Sequence, residues 1–145
     1  MFDAQLDLAV SLARGTSRRT GVIIVDMNRL KLINDMHGHR VGDEALIALA
    51  TEIKKMTGQD CLAARIGGDE FGVVLPANYD TVSEWRMRSR FKSGIACSIG
   101  AERDRMPISA SVGIAFFPDD GGNASALLKS ADESMYAQKR ALSVA

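Results

Sequence analysis

Cysteine is scarce in this chain of 145 residues, and what there is, Cys61 and Cys97, cannot build a disulfide framework and lacks the spacing of a metal site. A reducing cytoplasm is the compartment this fits. Net charge is missing as well: 18 basic residues balance 18 acidic ones, so no global field exists to hold nucleic acid or an anionic membrane, and an anionic ligand has to be held locally. No apolar run approaches membrane-spanning length, and the opening MFDAQLDLAV carries an acidic residue where a secretory signal would be basic. A soluble segment without direct membrane contact is expected. Internal repeats and low-complexity tracts are absent. What remains is enough for one domain, because a hydrophobic content of 46% supplies a core that needs no covalent or metal staple.

The apolar pattern gives an order of elements. Leu6, Ala9, Val10 and Ala13 form a helical stripe that stops near Gly15. GVIIVDM, Gly21 to Met27, is a continuous β-branched run of the kind found in a strand covered on both faces, and it ends on Asp26. In GDEALIALATEIKKM, the residues Ala45, Leu46, Leu49, Ile53 and Met56 share one face of a helix closed by Gly58. CLAARI and FGVVL read as two strands around a glycine-glycine hairpin, Tyr79 to Phe91 as a weakly patterned helix with Trp85 and Phe91 in the core, and Ile108 to Phe117 as another strand. A last helix from Asn123 places Ala126, Leu127, Ala131, Met135 and Tyr136 inward. The central hairpin rules out an all-parallel sheet, so the fold class expected is α/β of the α+β type: a mixed, largely antiparallel sheet with helices packed on its faces.

The hairpin RIGGDEFGVVL raises a chemical question, because Asp69 and Glu70 set like charges side by side at its tip. Such a pair is tolerated where a cation or a proton-transfer task absorbs the repulsion. If Asp26 ends the neighbouring strand, three carboxylates converge and form a hard-cation site of the magnesium type, with positions left for phosphate oxygens. Between Asp26 and the long helix lies DMNRLKLINDMHGHRVGD. Its turn at Asn28 to Leu30 offers backbone N–H groups to a phosphate as a helix opens near Lys31. Asn34 and Asp43 match the donors and acceptors of guanine, although Asp43 reads equally well as the N-cap of the following helix. His37 and His39 lack partners at zinc-like intervals and read as surface histidines. RMRSRFK, at 86 to 92, reads as a solvated helix face rather than a nucleic-acid surface, since no aromatic residues are interleaved for stacking.

These two stretches, DMNRLKLINDMHGHRVGD and RIGGDEF, closely resemble the signature segments of the GGDEF domains of bacterial diguanylate cyclases, and SADESMYAQK resembles that family's last helix. The resemblance spans nearly the whole chain. It implies a single domain over residues 1–145, a piece of a longer signal-transduction protein, with a fold related to nucleotide cyclases and polymerase palms. It also implies condensation of two GTP molecules into cyclic di-GMP and pyrophosphate by a homodimer, with Mg2+ or Mn2+ as cofactor and a sensory or phosphodiesterase domain elsewhere in the parent chain. Carried over residue by residue, Asp26, the Met27 carbonyl and Asp69 hold the metal. Glu70 is the catalytic base or a further ligand, Asn34, His39 and Asp43 form the guanine pocket, and Lys31 and Lys139 meet the phosphates.

The sequence departs from the family pattern at several positions. Asn28 and Leu30 stand where Asp and Phe are usual, both mild changes. Ser143 stands where a phosphate-binding Arg is expected, and Gly58 and Cys61 occupy the R-x-x-D positions of product inhibition, which predicts no feedback through that site. An alternative reading is therefore a regulatory GTP-binding domain of weak or no activity. A phosphoacceptor role for Asp26 is disfavoured by the hairpin, since such domains have parallel sheets.

Overall fold

The computed structural model describes residues 2–101 and 103–144, with side chains as far as Leu142. Helix α1 (Phe2–Ala13) leads into strand β1 (Thr20–Met27), followed by α2 (Leu30–His37), α3 (His39–Thr57), β2 (Leu62–Arg65), β3 (Glu70–Val74), α4 (Thr81–Arg90), β4 (Ile95–Ile99), β5 (Met106–Phe117) and α5 (Ala124–Val144). The five strands form one sheet in the order β2-β3-β1-β5-β4, and each pairing is antiparallel. The expected helix-covered, largely antiparallel sheet is what forms.

β1 lies at its centre, and all eight of its residues are buried. Alternation sends Ile23, Val25 and Met27 into a core shared with Leu49, Ile53, Phe71 and Phe91, on the side of α3 and α4. Val22 and Ile24 point the other way, against Leu6 and Val10 of α1 and Leu127 and Met135 of α5. A strand with two covered faces has no polar side to show, which is why the run is unbroken until Asp26.

Several expectations are corrected in detail. Trp85 is 67% exposed, whereas Phe91 is buried. The inner stripe of α5 runs through Ala124, Leu127, Ala131 and Met135, leaving Tyr136 at 51% exposure, because it follows Met135 directly and so is turned about 100° round the helix from that stripe. In the charged stretch of α4, Arg88 is not simply solvated: it pairs with Glu84 at 2.9 Å and with Asp120. Strand β4 was not foreseen at all.

Helix α5 approaches the sheet closely at Gly113. A Cβ there would lie 1.7 Å from the Ala131 carbonyl oxygen and 2.6 Å from the Met135 nitrogen, both backbone atoms that cannot swing aside. Gly113→Ala is accordingly expected to destabilise the fold by about 2–3 kcal/mol through forced separation of α5 from β5, read as a lower midpoint in denaturant unfolding with an unchanged slope.

Candidate functional site

The last residues of β1 carry the site. Asp26 lies directly opposite Glu70 of β3 on one side and Ser111 of β5 on the other, so an acidic residue of the central strand and one of the hairpin stand side by side. The tip is bound to the strand: Met27 N–H donates to the Asp69 carbonyl at 2.9 Å, and the Ile66 and Gly67 N–H groups donate to the Glu70 carbonyl at 2.9 and 3.2 Å. Arg65 braces it from the side, its Nε donating to the Gly67 carbonyl at 3.1 Å and its terminal nitrogen to the Gly68 carbonyl at 2.5 Å. Arg65→Gln removes this brace from an exposed position. It is expected to weaken divalent-ion affinity by about tenfold, measured by titration calorimetry, with a melting temperature near that of the parent.

Beyond Met27 the chain turns sharply, with Arg29 in the left-handed region at φ 61° immediately before α2. Asn28 fixes this turn to β5 at three points. Its N–H donates to the Ser109 carbonyl at 2.9 Å, its Nδ2 donates to Ser109 Oγ at 3.0 Å, and its Oδ1 accepts from Ser111 Oγ at 2.9 Å.

Asp26 is the electrostatic centre. Its side chain is 13% exposed, and the Lys139 ammonium, brought over by α5, stands 3.1 Å from its Oδ1. Oδ1 is enclosed by protein, and the ammonium is the charged group that answers it there. Burial pushes the Asp26 carboxyl above the usual range. Lys139 pulls against that shift, and the neighbouring Asp69 adds to it. The Glu70 carboxyl is also raised, first by burial and then by Asp132, Asp26 and Asp69. Among the described residues no three acidic, histidine or cysteine side chains gather into a ready-made cage. Two carboxylates and a backbone carbonyl are nevertheless a donor set suited to magnesium, which binds through one or two carboxylates and completes its shell with water and phosphate oxygens.

A cleft of about 550 Å³ opens between α2, α3 and the hairpin tip, and Lys31, Asn34, His39, Asp43, Arg65 and Asp69 line it. Five residues singled out from the sequence thus share one concave surface. Asp43 is the fifth residue of α3, which begins at His39 after Gly38, so it does not cap the helix. That leaves its carboxylate to face the cleft for another reason. Glu70 and Lys139 line separate clefts, the first with Asp132 and Phe2, the second with Asn28, Arg29 and Met36. The Ser143 side chain lies outside the described residues. Sequence reasoning missed Arg65, whose role depends on reaching backbone carbonyls. It also missed Asp132, although its seven-residue spacing from Lys139 on one helix was a usable sign.

The family model described as diguanylate cyclase, GGDEF domain, matches residues 1–143. The chain belongs to the GGDEF family. Relatives of this GGDEF domain include the bifunctional diguanylate cyclase/cyclic di-GMP phosphodiesterase MucR of Pseudomonas aeruginosa, 34% identical over 143 residues, 96% of this chain and 20% of MucR. Diguanylate cyclase TpbB of the same species is 31% identical over 140 residues, 96% of this chain and 32% of TpbB. The domain therefore spans about a fifth to a third of these relatives. Among solved structures, the crystallised GGDEF domain of TpbB superposes with a TM-score of 0.81 at 30% identity, covering 96% of this chain and 87% of that one. No helix among the described residues is long and apolar enough to cross a membrane.

Proposed function

We propose that this GGDEF domain binds GTP together with magnesium or manganese and, as a homodimer, condenses two GTP molecules into cyclic di-GMP and pyrophosphate. The observation that carries the reading is the enclosed carboxylate of Asp26 beside Asp69 and opposite Glu70. Crowded carboxylates whose ionisation is disfavoured gain most when a divalent cation joins them.

Asp26, the Met27 carbonyl and Asp69 would hold the ion, which supplies charge neutralisation for the triphosphate. The chain's own groups do the rest. Asn34 and Asp43 meet the guanine edge, the carboxylate accepting from N1–H and the 2-amino group, with His39 at the rim of the same cleft. Lys31 and the backbone N–H groups at the opening of α2 hold phosphate oxygens. Glu70 takes the proton of the 3′-hydroxyl as that oxygen bonds to an α-phosphorus and pyrophosphate departs. Cyclic di-GMP joins the 3′-oxygen of each nucleotide to the α-phosphorus of the other, and a domain that holds one nucleotide supplies half of that pair, so two domains must face each other, and the reaction runs twice to close the ring. Most of the rate then comes from orientation and electrostatics.

Incubation of the domain with GTP and Mg2+ tests this, with pyrophosphate and cyclic dinucleotide quantified across a range of protein concentrations. Turnover per domain should rise with concentration and vanish on chelation. Tight GTP binding by an enforced dimer that releases no pyrophosphate would leave the regulatory reading in its place.

A further inference from the structure

Gly42 is buried in the first turns of α3, and inside a helix glycine is disfavoured relative to alanine. The glycine serves what lies beside it. A Cβ at this position would stand 1.8 Å from Asn34 Oδ1 and 2.9 Å from Asn34 Cγ, with Leu30 Cδ1 next at 3.4 Å. The Asn34 amide thus occupies the volume that any other residue at position 42 would claim. The backbone holds the two in a fixed relation across the helix junction. Gly38 N–H donates to the Asn34 carbonyl at 2.8 Å, and Gly42 N–H to the Gly38 carbonyl at 3.2 Å, so residues 34, 38 and 42 follow one another in hydrogen-bonded steps.

We infer that Gly42 is a positioning residue for base specificity, seating the Asn34 amide in the cleft where it and Asp43 meet the purine edge. This rests on the guanine reading given above. The clash differs in kind from the one at Gly113, where backbone atoms block the way. Here the obstructing atoms are the far end of a side chain with two rotatable bonds, so the amide yields and the helices stay in place. A methyl group at position 42 is therefore a lesion in recognition and not in folding. Adenine, which lacks guanine's paired donors, has nothing to lose from it.

The test uses titration calorimetry with the α,β-methylene analogues of GTP and ATP in Mg2+, which bind without turning over. The parent, Gly42→Ala, Asn34→Ala and the double variant are compared, with a melting temperature for each. Gly42→Ala should weaken the GTP analogue by about tenfold or more and leave the ATP analogue within about twofold, with no loss of melting temperature. The double variant should bind the GTP analogue no more weakly than Asn34→Ala, because the methyl group acts only through the amide. A Gly42→Ala protein that keeps the parent's GTP-to-ATP ratio overturns the inference while leaving the guanine reading intact. Equal weakening of both nucleotides, or additive losses in the double variant, also overturns it. A parent without guanine preference removes the guanine reading and this inference together.

Discussion

Asp26→Asn is expected to abolish product formation from GTP, by about a thousandfold or more, and at the same time to raise the melting temperature of the ligand-free domain at neutral pH. The two effects have one cause. Burial, reinforced by Asp69 and only partly offset by Lys139, makes the folded protein hold the Asp26 proton more tightly than the unfolded chain does. A carboxyl raised in this way gives its full contribution to stability below the ordinary carboxylate range and loses it as pH climbs through the folded value. At neutral pH the ionised side chain is thus a burden on the fold, and the neutral amide is not. Lys139, a third exposed, already reaches solvent. Melts in chelator across about pH 4 to about pH 8 should show the gap between variant and parent widest at the neutral end and closing on acidification. Added Mg2+ should then raise the parent's melting temperature but not the variant's. A variant that melts below the parent at neutral pH and still responds to Mg2+ would contradict both parts.

Glu70→Gln separates chemistry from binding. Glutamine keeps the size and a hydrogen-bonding oxygen but cannot take a proton, so turnover should fall by about a thousandfold while affinity for Mg2+ and GTP changes little. The raised carboxyl of Glu70, pushed up by burial and by Asp132, requires the rate to gain its basic form at a higher pH than an exposed glutamate would. Asp132→Asn removes one of the charges that raises it, so the acidic limb of the pH–rate profile should move to lower pH. Equal losses of rate and of metal affinity in Glu70→Gln would instead make Glu70 a ligand of the ion.

Where the sequence was readable, one physical signal dominated. The β-branched run of β1 and the apolar stripe of α3 each have one comfortable structure, and both formed. The hairpin formed as well, but through residues 66–69 and with neither Gly67 nor Gly68 at positive φ, so it is not the tight two-glycine turn the dipeptide suggests. Strand β4 was opaque because IACSI is short, lies at the sheet edge and mixes half-buried polar and apolar residues. The start of α3 was hidden too, since Gly38 precedes it without any side-chain cap. Trp85 misled for the opposite reason: its size argues for the interior, yet nothing in α4 compels that face inward. For the site, Asp26, Asp69 and Glu70 could be placed from the end of a strand and the tip of a turn. Arg65 could not, because it acts on carbonyl oxygens, and Asp132 left only its spacing from Lys139 as a sign, since it becomes a neighbour of Glu70 once α5 has crossed the sheet.

Glu70, Asp26 and Ser111 stand abreast across three strands. Strand side chains alternate with a period of two, so sliding β3 along β1 by a single place would exchange Glu70 for Phe71 on that face. No small adjustment of alignment lies between the two arrangements. The register of β3 on β1 therefore works as a switch rather than a dial, and only a change of side chain can tune this trio by degrees.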